Sequence, residues 1–187
     1  MKIKIKNFKK VKSTNDIALR YIKKGFRDPM LITSELQTKG RGRVGKKWIS
    51  RKGNVFMTIL FQFNPKKINF KQFSVLNAIL IKKVISKSTS KTIKIKWPND
   101  LLIDRRKFCG ILQEVIKFND LDYLIVGIGL NTNVSPQNKS FKSTCLKNIL
   151  NKKISNQKIL RDILIAYKKF IVDIDKLSFF DLKRKYK

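Results

Sequence analysis

The sequence predicts an α+β domain, a mixed and mainly antiparallel sheet with helices packed against it. Short apolar or alternating runs suited to strands recur along the chain, and three of them follow one another between residues 92 and 128. Apolar stripes at helical spacing stand near the N-terminus, in the centre and in the last third. The length of 187 residues, with 42% hydrophobic content, suits one domain with a proper core and is short for two.

Lys2-Ile3-Lys4-Ile5-Lys6 alternates charged and apolar residues, so it reads as an edge strand and lacks the continuous apolar core of a secretory signal. Ser13-Thr14-Asn15-Asp16 offers N-cap side chains ahead of Ile17, Ala18, Tyr21 and Ile22, which share one helical face; this helix ends at Gly25. Met30 to Leu36 is a short apolar strand that leads into a glycine-rich segment. Asn54 to Phe63 is a strand with two largely buried faces, Val55, Met57, Ile59, Phe61 and Phe63 on one of them, closed by Pro65. Phe70, Phe73, Leu76, Leu80 and Val84 define a central helix from Asn69 to Ser86. Thr92 to Lys96, Lys107 to Lys117 and Asp122 to Ile128 are three further strands, with Phe118-Asn119-Asp120-Leu121 as a hairpin turn between the last two. Within Gln157 to Leu177, the stripe Ile159, Ile163, Ala166, Tyr167, Phe170 and Ile174 is core packing of a last helix.

Composition removes several function classes. No apolar run approaches the roughly 20 residues of a membrane span, and the longest candidate, Val75 to Ile81, is broken by Asn77; a soluble, cytoplasmic protein is expected. There is no histidine, and Cys109 and Cys145 lie far apart without CxxC spacing. A zinc site and a Cys-His pair are thereby excluded, and two free thiols are expected, with Cys109 as a packing residue. The formal charge of +32 invites a nucleic-acid reading. Lysine makes up 35 of the 44 cations and is spread over the whole length among many isoleucines, asparagines and phenylalanines, which is a compositional bias rather than a patch selected for phosphate. No specific nucleic-acid partner is expected. A basic nucleic-acid-binding module without enzymatic activity is the non-enzymatic alternative, and it requires cations grouped with aromatics on one face. A strongly positive surface attracts acidic partners in a salt-dependent way.

Four segments carry chemistry. In Gly40-Arg41-Gly42-Arg43-Val44-Gly45-Lys46-Lys47-Trp48, glycines interleaved with cations make a loop able to wrap backbone amides and positive charge around an anion. Lys96-Trp97-Pro98-Asn99-Asp100 follows, its bend fixed by Pro98. Then come Lys107-Phe108-Cys109-Gly110-Ile111-Leu112-Gln113-Glu114 and Gly127-Ile128-Gly129-Leu130-Asn131-Thr132-Asn133. The last Gly-x-Gly lacks the third glycine and the following helix of a dinucleotide fingerprint.

In that order and at those spacings, the four segments resemble the catalytic domain of biotin protein ligases, whose fold is that of class II synthetases; the likeness runs from about Lys12 to Asn133. The resemblance implies ATP-dependent ligation of biotin to a lysine of a carrier protein through a biotinyl-5′-AMP intermediate, with biotin, ATP and Mg²⁺ required. It implies as partner the biotin carboxyl carrier domain of acetyl-CoA carboxylase. It assigns Lys107, Arg43 and Asp100 to the reaction: Lys107 to the reacting carboxylate and phosphate oxygens, Arg43 to retention of the intermediate, and Asp100 either to Mg²⁺ or to the incoming amine. Asp100, Asn99 and Trp97 also suit a hydrogen-bonded turn. Biotin contacts fall on Ser13, Thr14, Asn15, Gln37, Gly40, Arg41, Gly42, Arg43, Lys107 and Gly110, although Ser13 and Thr14 equally suit helix capping. Nucleotide contacts fall on Arg43, Trp48, Asn99, Lys107 and Asn131, and Trp48 equally suits core packing. The glycine content of residues 40–48 suits a loop that is mobile until ligand orders it.

Relatives carry further modules, and the expectation from residues 1–187 is a single catalytic domain without an N-terminal DNA-binding module and without a small C-terminal β-barrel. Val44 and Lys46 stand where the family often has arginine. A lipoate-type ligase of the same fold is the alternative within enzymes. Relatives pair by continuing a sheet across two chains, but lysine-rich edges discourage this, so a monomer or weak homodimer is expected.

Overall fold

The structure, a computed structural model, describes residues 1–137 and 141–187. Its elements run β1 (Lys4–Phe8), α1 (Thr14–Lys23), β2 (Met30–Ser34), β3 (Val55–Gln62), α2 (Phe70–Ser86), β4 (Lys94–Lys96), β5 (Asp100–Ile103), β6 (Arg106–Phe118), β7 (Leu121–Leu130), α3 (Leu146–Leu150), α4 (Asn156–Ile174) and α5 (Phe179–Tyr186). One seven-stranded sheet has the order β1-β2-β3-β7-β6-β5-β4. β1 and β2 are parallel and every other pair is antiparallel, which is the mixed, mainly antiparallel α+β architecture expected. The lysine-alternating first strand lies at one edge. Among the described residues no helix is long and apolar enough to cross a membrane.

Local chemistry explains the connections. Asn119 and Asp120 adopt φ of 47° and 58°, left-handed values these side chains tolerate, and so close the β6–β7 hairpin in two residues. Asp104 and Arg105 do the same between β5 and β6, at 48° and 60°. α2 opens on a capping box in which Asn69 accepts from the Gln72 amide and the Gln72 side chain accepts from the Asn69 amide.

The two faces of the sheet are covered unequally. α2, α4 and α5 pack on one face, where Met57, Ile59, Phe61, Phe108, Ile111 and Val126 meet Phe73, Leu76, Ile163, Tyr167 and Phe170. Burial of each such side chain contributes roughly 1.5–3 kcal/mol. Asn77, which interrupts the apolar stripe of α2, is fully buried yet paired: it accepts from the Tyr167 hydroxyl (2.7 Å) and donates to Gln113 (2.6 Å). On the other face the ten-residue α1 alone lays Ile17, Ala18 and Ile22 over Ile32, Leu60, Tyr123 and Ile125. α1 is too short to span that face. Counting by twos along β3, β6 and β7, the part beyond the apolar stripe of α1 is Thr58, Gly110, Gly127 and Gly129, and it is covered instead by polar side chains of the first turn of α1 and by Trp48.

Three elements were not among the strands and helices expected. β5, four residues between Pro98 and a tight turn, is too short to display alternation; α3 and α5, of five and eight residues, are too short to display helical periodicity. Both cysteines are buried and free, as expected. Burial pushes the Cys109 thiol far up, so it is a packing group rather than a nucleophile.

α5 is clamped through Asp173, which accepts from the Tyr186 hydroxyl (2.6 Å) and pairs with Lys185 (2.8 Å). Burial alone would push this carboxyl up, but the hydrogen bonds from Lys185 and Tyr186, with the charges of Lys185 and Lys169, outweigh it and hold it below its ordinary range. Since the folded value lies under the unfolded one of about 3.9, the contribution is complete above that pH and fades as pH falls through the folded value. Asp173→Asn is expected to cost about 1–2 kcal/mol at pH 7. In urea titrations the gap between parent and variant narrows as pH falls below about 4; a gap that does not narrow at all on acidification would contradict the clamp.

Candidate active site

The patch beyond the apolar stripe of α1 exists because three residues lack side chains. Gly110 faces Gly129 across the β6–β7 ladder, and Gly127 lies two residues further along β7. The Trp48 indole lies flat on the first pair: a Cβ on Gly110 would stand 2.6 Å from its Cζ3, and one on Gly129 would stand 2.6 Å from Cζ2 and 2.7 Å from Nε1. A Cβ on Gly127 would overlap the side-chain oxygen of Asn15. Here glycine is required by close approach rather than by φ.

A β-bulge brings Lys107 onto the same floor. Leu101 pairs with Cys109 but Leu102 pairs with Lys107, leaving Phe108 as the extra residue of β6. In a regular strand Lys107 and Gly110, three apart, would point to opposite faces. The bulge turns Lys107 over Gly110, its Cε 3.3 Å from where a Cβ would stand, while Phe108 and Cys109 enter the core. The Lys107 ammonium lies 2.7 Å from Asp100 Oδ1 as an ion pair, with side-chain exposures of 16% and 20%. It also sits 5.3 Å from the Trp48 ring and 5.1 Å from the Phe141 ring. Backbone bonds fix its position: the Lys107 amide donates to the Lys142 carbonyl, and the Lys107 carbonyl accepts from the Thr144 amide, both at 2.9 Å.

A row of neutral polar groups borders the floor. Gln37 Oε1 accepts from the Thr14 amide (2.9 Å) and hydroxyl (3.1 Å). The Thr58 hydroxyl stands 2.8 Å from Thr14 Oγ1 and 2.6 Å from Asn15 Oδ1, and its one proton serves one of them at a time. Asn15 Nδ2 donates to Glu114 (2.6 Å). Ser13 occupies the N-cap of α1, yet makes no side-chain cap bond, and Thr14 turns to Gln37, so neither side chain caps the helix. A ligand with an uncharged, amide-like head and a negative tail suits such a row ending at an amine.

Residues 40–48 form a small hairpin flap over this surface. The Gly42 amide donates to the Lys46 carbonyl (2.6 Å), Lys46 to Arg43 (3.1 Å) and Trp48 to Gly40 (2.9 Å), with Val44 and Gly45 at φ of 51° and 69°. Gly40 is buried with the Trp48 carbonyl 2.7 Å from where a Cβ would stand. The flap's two arginines diverge. Arg41 grips both oxygens of Glu114 (2.7 and 2.9 Å) and reaches Asp16 (3.0 Å), and these acceptors outweigh the opposing effect of partial burial to hold its guanidinium above its ordinary value. Arg43 lines a cavity of about 580 Å³ with Trp97, Pro98, Asn99 and Gln113, beside the start of α2, and Lys107 is not among the residues that line it. Asn99 is pinned there by a bond from its Nδ2 to the Ile111 carbonyl (3.0 Å). Asn131 is buried behind β6: its amide donates to Phe108 (2.7 Å) and its Nδ2 to Thr144 (3.2 Å). Its Oδ1 and the Nε1 of Trp48, both buried, meet no hydrogen-bond partner among the described residues.

Of the residues singled out in the sequence, Lys107 and Gly110 therefore share one floor, with Asp100 paired to the ammonium and Trp48 of the flap seated on it; Thr14, Asn15 and Gln37 form the polar row, Ser13 stands at the N-cap of α1, Gly40 belongs to the flap, and Arg43 and Asn99 line a cavity that Lys107 does not. Gly42 serves the flap's turn, Arg41 faces protein carboxylates, and Asn131 is enclosed. Sequence reasoning missed Thr58, Asp16, Phe141 and the part played by Glu114. Glu114 was reachable, since it lies four residues after Gly110 on the same strand face; nothing in the sequence pointed to Phe141. Among the described residues no group of three carboxylate, thiol or imidazole ligands gathers to hold a metal, and Asp100 is committed to Lys107. These residues do not fit a resident magnesium site.

The model of the Biotin/lipoate A/B protein ligase family matches residues 7–131, more than half of the chain, and the chain belongs to that family. It is similar to the bifunctional ligase/repressor BirA of Bacillus subtilis, 31% identical over 145 residues covering 74% of this chain and 45% of that protein. It is also similar to biotin–protein ligase 2 of Arabidopsis thaliana, 33% identical over 162 residues covering 81% of this chain and 45% of that protein. Each match spans less than half of the relative's length. Among solved structures, the biotin protein ligase from Aquifex aeolicus in complex with biotin and ATP superposes with a TM-score of 0.81 at 28% identity, covering 98% of this chain and 76% of that one.

Gly129→Ala tests the floor. The added methyl displaces the Trp48 indole, with an expected cost of about 1–3 kcal/mol. Acrylamide quenching of the two tryptophans should then show a second accessible indole beside Trp97, which is already 58% exposed; quenching identical to the parent would contradict this packing.

Proposed function

We propose that this chain is a biotin protein ligase, joining biotin through its carboxylate to AMP and then to a lysine of a carrier protein. The observation that carries the reading is Lys107, a half-buried ammonium aimed by the bulge across the glycine floor and under the flap. The relatives named as biotin ligases support it.

In the first step a biotin carboxylate oxygen attacks the α-phosphorus of ATP, the bond from that phosphorus to the bridging oxygen breaks, and pyrophosphate leaves. Carboxylate and triphosphate repel, so the step needs fixed cations and a common enclosure rather than an acid or base. Lys107 supplies charge between the two anions, and Asp100 keeps the ammonium in place until they arrive. Arg43 approaches from the flap's tip and retains the mixed anhydride. The Thr14, Asn15 and Gln37 row takes the ureido head, whose alternating donors and acceptors match amides and hydroxyls. In the second step the carrier amine attacks the acyl carbon, AMP leaves with the bonding pair, and the amine loses a proton. Any Mg²⁺ arrives with ATP as part of the substrate, and no step is assigned to it. Trp48 Nε1 is a donor without a partner and suits the nucleotide, whereas Asn131, enclosed behind β6, is given no contact with it. Lipoate, the second reading within the family, carries an apolar dithiolane that would leave the polar row unanswered. The carrier is a biotin carboxyl carrier domain such as that of acetyl-CoA carboxylase, and a chain of +32 charge will attract an acidic one more strongly at low salt.

Incubation with ATP, Mg²⁺ and an apo carrier domain, read by mass spectrometry, should give a biotinyl adduct with biotin and none with lipoate. Lys107→Ala should lower biotin-dependent pyrophosphate exchange by about 10²–10³-fold while leaving the fold intact by circular dichroism. Arg43→Gly should release the intermediate and label lysines of a bystander protein. Normal exchange by Lys107→Ala, or a lipoyl adduct, would overturn the reading.

A further inference from the structure

The flap's two arginines have different partners, and one carboxylate sets that difference. Glu114 lies on the floor's face of β6, and its side chain is 26% exposed. It accepts three hydrogen bonds: Arg41 Nη1 on Oε1 (2.7 Å), Arg41 Nη2 on Oε2 (2.9 Å) and Asn15 Nδ2 on Oε2 (2.6 Å). Asp16, next to Asn15 on α1, takes the remaining side of the same guanidinium (3.0 Å). Among the described residues these are the flap's only ion pairs to the body of the protein. The rest of the hairpin is held by its own backbone and by the seat of Trp48, while Arg43 to Lys47 are exposed.

We infer that Glu114 is the positioning residue of this site: through Arg41 it latches the flap onto the sheet, and through Asn15 it sets the polar row at the same height. One arginine with two carboxylates is a closed, net negative cluster. Arg41 is therefore the pin of the latch and not an anion receptor, and the work of holding a ligand's negative charge falls to Arg43 and Lys107. A bidentate pair fixes orientation as well as distance, which a single point contact would not. Opening the flap breaks the pair, so flap opening and the placement of Asn15 are coupled through one side chain. The part of this inference that concerns biotin rests on the proposed ligase activity; the latch itself does not.

The flap carries its own reporter, since trypsin cleaves after Arg43, Lys46 and Lys47. In the ligand-free protein, Glu114→Gln should speed cleavage at those three bonds by about fivefold relative to the first cuts elsewhere, the population change expected when a partly exposed bidentate pair is lost. Arg41→Gln should do the same, and the double variant should match either single one. Raised salt should speed flap cleavage in the parent, normalised to a small peptide substrate, and not in the variants. With biotin, Glu114→Gln should raise KM by a larger factor than it lowers kcat. Faster flap cleavage together with no biotin binding by the parent leaves the latch standing and removes the biotin reading. The inference is overturned by unchanged flap cleavage in Glu114→Gln, by a rise spread over the whole chain, which marks general loosening, or by additive effects of the two substitutions.

Discussion

Everything at the site depends on a stretch of sheet from which side chains have been removed. Gly110, Gly127 and Gly129 lie side by side on β6 and β7, on the face of α1 but beyond its apolar stripe. A sheet face normally buries its apolar residues under a helix. Here the covering is a tryptophan from a flap and an asparagine from the first turn of a helix, both seated where a methyl group would not fit. A cover of this kind can be exchanged for a ligand of similar thickness, whereas a helix packed by its apolar stripe cannot. The opposite face carries the larger of the two apolar cores, and the smaller one lies under α1 beside the glycines.

The bulge at Phe108 is the second constraint, and it serves both faces at once. One extra residue sends two consecutive side chains, Phe108 and Cys109, into the core and brings Lys107 back over the floor. Lys107 then sits between the Trp48 and Phe141 rings with a single carboxylate beside it. In such partly dry surroundings a fixed charge acts on a neighbouring anion far more strongly than in water. That is the property an adenylate-forming reaction demands of its cation, and it needs neither histidine nor a reactive thiol.

Much of this was legible in the sequence, for identifiable reasons. Strands β3, β6 and β7 are long and rich in apolar residues, α1 and α4 are amphipathic, and the Asn119-Asp120 turn has a strong local signature. Lys107 stood out from the other lysines only by its neighbours. Less legible was anything decided by register. That Lys107 and Gly110 share a face depends on a bulge that alternation alone would deny. That Arg41 and Arg43, two residues apart in a glycine-rich loop, go to different partners depends on Glu114 and Asp16, distant in sequence and close only after folding. Helix capping by Ser13 and Thr14 was a reasonable local expectation, and it gave way to a tertiary bond between Thr14 and Gln37.

The central claim is that the glycine floor and the Lys107 ammonium form one binding surface. A structure of the chain with biotin and an ATP analogue whose α–β bridging oxygen is replaced by methylene tests it most directly. The account predicts the biotin rings beside Thr14 and Asn15, and the carboxylate within hydrogen-bond reach of Lys107 Nζ, over Gly110. Biotin bound elsewhere, with Lys107 still paired to Asp100 alone and the Trp48 indole undisturbed, would contradict it.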